Sequence, residues 1–127
     1  MTIPIPPTAT ERVVQPVPFR SRTLHGGAAS PGRYAGTVRI IHSDAEFDRL
    51  RAGDVLVCWV FLPGWTVLLP RVGAVVTDSG GILSNPAIVA REFGVPLVVA
   101  TGMGTTLLRD GQLVIVDGTS GTVEVVR

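Results

Sequence analysis

Residues 74–102 read AVVTDSGGILSNPAIVAREFGVPLVVATG. With Gly73, the opening GAVVTD (73–78) is a continuous apolar, β-branched run, the pattern of a strand buried on both faces. Gly80-Gly81 leads into a short polar loop. The apolar run that follows has helical spacing and is closed by Gly94 with Pro96 two residues on. PLVVA (96–100) is again a buried strand. Strand, glycine loop, helix, strand is an α/β unit, and a helix mouth reached through glycines suits an anion. Here the mouth holds Asn85 and Pro86, neither of which can accept a phosphoryl group. Asn is a preferred N-cap, Pro is favoured at the first helical position, and a residue before Pro is pushed out of the helical region. Asn85 is therefore expected to cap the helix, bonding the N–H of Ala87 or Ile88, a contact typically worth about 1 kcal/mol.

The same alternation extends outward in both directions. YAGTVRII (34–41) reads as a strand. Ser43-Asp44 can cap a short helix, AEFDRL, with Phe47 and Leu50 on one face. VLVCWV (55–60) is another buried strand, and GWTVLLPRV (64–72) holds a short helix ended by Pro70. Gly102-Met103-Gly104 is a tight connection. QLVIVD (112–117) and TVEVV (122–126), joined through Gly118 and Gly121, form a hairpin. Strands interleaved with short helices give an α/β fold with a mixed sheet. Residues 1–24 differ: Pro4, Pro6, Pro7, Pro16 and Pro18 forbid helix and central strand, leaving a Pro-rich tail. Its Val13, Val14, Val17 and Phe19 leave open docking on the domain or on a partner.

Composition narrows the function. The chain has 127 residues, about one domain, and a formal charge of +1. Its 11 basic residues are all Arg, scattered, with no concentrated basic face for nucleic acid. The missing Lys excludes a Schiff-base lysine and a phosphate-loop lysine. No apolar run is long enough for a membrane span, and the N-terminus carries no secretory signal. A single cysteine, Cys58, cannot form an internal disulfide, so the expected location is the cytoplasm.

GAASPGRYAGTVRII, LRAGDVLV, the stretch quoted first and LRDGQLVIVDGTSGTV together resemble, in order, the mobile phosphohistidine domain of the phosphoenolpyruvate-utilising enzymes. The resemblance runs from about Gly26 to Val126. It implies a compact swivelling β/β/α domain over residues 25–127, of the kind that shuttles a phosphoryl group between a nucleotide-binding module and a substrate module. By the same resemblance Leu83 stands where the family usually has Thr, Ser84 at the small residue, and Asn85 at the phosphorylated His. A carboxamide nitrogen is delocalised into its carbonyl and is no nucleophile at neutral pH, whereas an imidazole nitrogen is. His25 and His42 do not match the family site.

Two readings then compete. In one, a stand-alone domain binds a small, partly apolar molecule in the former phosphohistidine cleft. Any conversion there would be a rearrangement, cyclisation or elimination without cofactor or metal, in secondary metabolism rather than in phosphotransfer. Asn85, Ser84 and Asp78 are the candidate catalytic groups. Ser79 and Thr101 are nearby hydroxyls, and Trp59, Phe61 and Trp65 of CWVFLPGW (58–65) supply either core or an apolar wall. In the other, the chain is a non-catalytic partner or regulatory subunit docking to a nucleotide-binding or substrate-binding module, or to another copy of itself. A phosphocarrier with a different acceptor is the weakest alternative.

Overall fold

The computed structural model describes residues 22–127. The elements run β1 (Thr23–His25), β2 (Gly27–Ser30), β3 (Arg33–Ile40), a 3-10 helix (Asp44–Arg49), β4 (Val55–Cys58) and a second 3-10 helix (Pro63–Leu68). They continue with β5 (Ala74–Thr77), α1 (Asn85–Phe93), β6 (Leu97–Val99), α2 (Gly104–Leu107), β7 (Leu113–Asp117) and β8 (Thr122–Val125). The strands form one mixed sheet in the order β1-β8-β7-β3-β4-β5-β6-β2. β3, β4, β5 and β6 are mutually parallel, and every other pairing is antiparallel.

The long strand β3 joins the two halves. Its Arg33–Thr37 segment pairs with β7 and its Val38–Ile40 segment with β4. The continuous apolar runs are explained by what lies on each side of the parallel half. Leu56, Cys58, Val75, Leu97 and Val99 join a core with Ala87 and Ala90 of α1 and with Trp65 and Leu68. Their neighbours in the chain, Val55, Val57, Ala74, Val76 and Val98, join a second core with Val114, Val116, Val123 and Val125 of the β7–β8 hairpin. Successive side chains of a strand point to opposite faces, so each run needs no polar position. The result is three layers, β/β/α. The close packing of the hairpin on β2 and β6 requires small residues: a Cβ on Gly118 would lie 1.8 Å from the Ser30 carbonyl oxygen. Within the hairpin turn, Asp117 Oδ1 accepts from the N–H groups of Ser120 (3.0 Å) and Thr119 (2.9 Å). These bonds, that of Ser120 first, hold the Asp117 carboxyl below the usual carboxylate range.

Several local expectations change. Both early helices are 3-10 helices, and Ser43 makes no side-chain capping bond to the first of them. The connection after Gly102 contains the short helix α2. Thr23 and Leu24, assigned to the tail from the sequence, lie in β1 paired with β8. The rest of that tail, with Val13, Val14, Val17 and Phe19, lies outside the described residues. No helix among the described residues is long and apolar enough to cross a membrane.

Candidate functional site

Parallel strands deliver their carboxyl ends to one edge of a sheet, and the loops leaving those ends form clefts. β4, β5 and β6 end together here. Their loops carry Trp59 to Leu62, Asp78 to Ser84, and Thr101 to Gly104. A cleft of about 270 Å³ opens between the first two of these loops and the mouth of α1. Its apolar walls include Phe61, Leu62, Pro63, Pro86, Leu97 and Val99. Its polar lining consists of Thr77, Ser79, Ser84 and Asn85.

The mouth of α1 departs from the capping expected of it. Ser84, not Asn85, is the N-cap: its backbone is extended and its Oγ accepts from Ala87 N–H at 3.3 Å. Asn85 is the first helical residue, and Pro86 follows it inside the first turn. The physical reason is that Pro at the second helical position is tolerated as well as at the first, because neither N–H has an intrahelical acceptor. The helix therefore starts one residue earlier than the Pro alone suggests. At its other end Gly94 takes the left-handed conformation (φ 71°), as the sequence requires. The Asn85 side chain, freed from capping, has no hydrogen-bond partner among the described residues and lies at the cleft.

The remaining candidates separate into two groups. Ser79 lines the cleft; its Oγ donates to the Trp59 carbonyl at 3.1 Å, and its own carbonyl accepts from Thr77 Oγ1 at 2.6 Å. Asp78 and Thr101 do not line it. Asp78 is buried, and its carboxylate accepts from both the N–H (2.9 Å) and the hydroxyl of Thr105 in the first turn of α2. Thr101 Oγ1 donates to the Thr77 carbonyl at 3.0 Å and accepts from Gly104 N–H at 3.2 Å. These two residues hold α2 to the end of β5, so in this geometry Asp78 is a clamp rather than a free base.

The aromatic segment divides as well. Phe61 is buried and lines the cleft. Trp65 is core, 5% exposed, edge-on to both Phe47 and Phe61, with its Nε1–H donating to Asp44 Oδ1 at 2.7 Å. Trp59 is neither core nor wall: it is 61% exposed, one residue past the end of β4. Of the three aromatics expected to form a wall, Phe61 alone does so, backed by Trp65. Thr77 was not singled out from the sequence, and Pro86 was read there only as part of the helix start. Their place follows from strand and helix ends converging, which no local pattern records. Cys58, beneath this edge, is buried, and burial followed by the neighbouring Asp78 charge pushes its thiol up to about 12.

Among the described residues no cluster of three or more His, Cys, Asp or Glu side chains is placed to hold a metal ion. What the cleft offers is hydrogen bonding and shape: one carboxamide with both donor and acceptor, three hydroxyls and an apolar wall.

Comparison with known proteins places this architecture. Residues 50–121 match the family described as PEP-utilising enzyme, mobile domain. A Bacillus subtilis (strain 168) protein named as an uncharacterized phosphotransferase, YvkC, is 48% identical over 103 residues, covering 81% of this chain and 12% of that protein. Chondramide synthase cmdD of Chondromyces crocatus is 46% identical over 102 residues, covering 80% of this chain and 3% of that protein. A probable phosphoenolpyruvate synthase of Archaeoglobus fulgidus is 44% identical over 100 residues, covering 79% of this chain and 13% of that protein. This chain thus spans a small fraction of the length of the relatives it matches. Among solved structures, an Enzyme I (nEIt) structure matches with a TM-score of 0.54 and 37% identity, covering 61% of this chain and 32% of that one. The holo-form of Thermococcus kodakaraensis aconitase X shares the fold with a TM-score of 0.66 at 21% identity, covering 84% of this chain and 99% of that one. The three-layer architecture and the matched residues agree: this chain belongs to the mobile-domain family of the PEP-utilising enzymes.

Proposed function

We propose that this domain is a His-less member of its family, that it carries no phosphoryl group, and that its cleft binds a small, partly apolar molecule. One observation carries the reading: the residue at the mouth of α1 is an asparagine whose carboxamide is left without a partner beside an apolar cleft of about 270 Å³. An amide at that place cannot form a phosphoramidate intermediate. Charge-stabilising groups, on which phosphoryl transfer depends, are lacking too: no Arg or His lines the cleft. An apolar wall with a few convergent polar groups is the usual composition of a small-molecule site. If the bound molecule is converted, the groups at hand are Asn85 and Ser84. They would act by hydrogen bonding and shape, without cofactor, on a rearrangement, cyclisation or elimination.

A second reading has its own support. Trp59, Leu62, Ile82, Leu83 and Met103 are exposed around the same edge, Leu83 at 80%. A rim of apolar side chains suits a protein face, and this domain would then be a non-catalytic subunit docking to a nucleotide-binding or substrate-binding module. Under either reading the domain includes β1 from Thr23 and runs to residue 127, and the protein works in the reducing cytoplasm.

Intact-mass measurement separates carrier from non-carrier. The protein is incubated with phosphoenolpyruvate, or with ATP, together with a nucleotide-binding module of the family. The expected result is an unchanged mass. An acid-labile gain of one phosphoryl group on this chain would overturn the proposal. A stable complex with that module, without mass change and with no small molecule bound in the cleft, would favour the subunit reading.

A further inference from the structure

We propose that the segment just ahead of β1, residues 17–21, docks back on its own domain, with the Phe19 ring seated in a groove between β1 and α2. The inference does not depend on what the cleft binds.

The groove measures about 270 Å³ and shares no lining residue with the cleft. Its described lining is Arg22, then Thr23 and Leu24 of β1, Val125 of β8, and Leu107 and Leu108 at the end of α2. Leu108 and Val125 are buried members of the second core, and Leu24 packs against it. The groove therefore reaches that core, whereas Phe61, Leu97 and Val99 carry the cleft into the first. Leu107, by contrast, is 39% exposed. α2 has four residues, too few to hold as a helix without packing. Asp78 fixes its start, and Leu107 at its end stands open.

The chain itself points to the occupant. Residues 1–21 precede Arg22, the first described residue, and Arg22 already belongs to the groove lining. Its carbonyl accepts from Val125 N–H at 2.9 Å, which fixes the backbone beside the groove. Phe19 stands three residues earlier, a reach of about 10 Å in extended chain. The ring can enter with no long loop to close, and tethering gives it a high effective concentration that a separate molecule lacks. The residue pattern suits docking through side chains. In an extended chain Val17 and Phe19 share one face, and Pro18 and Arg20 the other. The apolar face can turn to the groove while the Arg20 charge stays in water. Pro16 and Pro18 lack the N–H of a strand ladder, and their fixed φ lowers the entropy lost on docking.

Methyl and aromatic NMR of the full chain tests this. The expected result is nuclear Overhauser contacts from the Phe19 ring to methyl groups of Leu24, Leu107, Leu108 or Val125, with ring-current shifts there that vanish in Phe19→Ala. That variant should also lower the folded-to-unfolded ratio in urea about tenfold. No contact between Phe19 and the groove in the unmodified chain would overturn the proposal, whether or not the variant folds. Contacts that arise only between differently labelled copies would overturn it too, by giving the groove to a second molecule.

Discussion

Two polar clusters stand at the same sheet edge, and they have opposite fates. At the end of β5, Asp78 accepts from Thr105 and Thr101 bonds the backbone at Thr77 and Gly104, so each side chain is engaged. At the mouth of α1, Ser84 satisfies the helix and Asn85 is left over. The first cluster contains the stronger chemical group, a carboxylate, yet that group is fully engaged in positioning backbone. The second contains a weak group that is free. Chemistry at a site depends on which groups remain uncommitted after folding, and a buried polar group has to be satisfied before it can do anything else.

The largest expected effect comes from breaking the first cluster. Asp78→Ala leaves the half-buried N–H and hydroxyl of Thr105 without their acceptor and should cost about 2 kcal/mol, read as a lower urea midpoint. If the cost is within error of zero, the clamp assignment is wrong and Asp78 returns as a candidate base. Next is Ser84→Ala, which removes the cap of α1 and should cost about 1 kcal/mol in the same measurement. Asn85→Ala should change stability by no more than about 0.5 kcal/mol, because its side chain holds nothing in place. The two neighbours thus sharpen the contrast within the second cluster. If their costs are reversed, Asn85 is the cap after all.

The smallest effect is on the thiol beneath the edge. Burial is the main reason that the Cys58 thiol is raised to about 12, and the Asp78 charge is the lesser one. Asp78→Asn should therefore lower the alkylation pH profile of Cys58 only slightly, leaving it far above 9.0. The sign for stability follows from the raised value. The folded state holds the thiol proton more tightly than the unfolded chain, so this contribution is complete below about 9.0 and fades as pH climbs towards about 12. An alkylation midpoint near 9.0 in the folded protein would show that Cys58 is not buried as described.

Much of the fold was legible because its causes are local. Apolar runs at 55–60, 73–78 and 96–100 and the Gly94 stop each gave an element near its observed place. β2, made of Gly, Ala and Ser, carries no strand pattern and owes its existence to pairing with Val98 and Val99 of β6. The site was legible in part. Ser79, Ser84, Asn85 and Phe61 do line the cleft, since the glycine loop and the helix start mark its edge. Trp59, Trp65, Asp78 and Thr101 sit near in sequence and have other surroundings. Trp59 and Trp65 differ most: six positions apart and alike in composition, one faces solvent and the other fills the core.

What the residues alone determine is the layer order and the chemistry that is impossible. Strands buried on both faces require cover on both, and an amide at position 85 excludes a phosphoramidate whatever surrounds it. What the tertiary structure decided is which polar groups are used up. Ser84 took the capping bond and Thr105 took the carboxylate of Asp78, across 27 positions of chain. Covalent reactivity belongs to a single side chain and can be read from its name. Hydrogen-bond saturation belongs to pairs of groups brought together by folding, so it exists only in three dimensions.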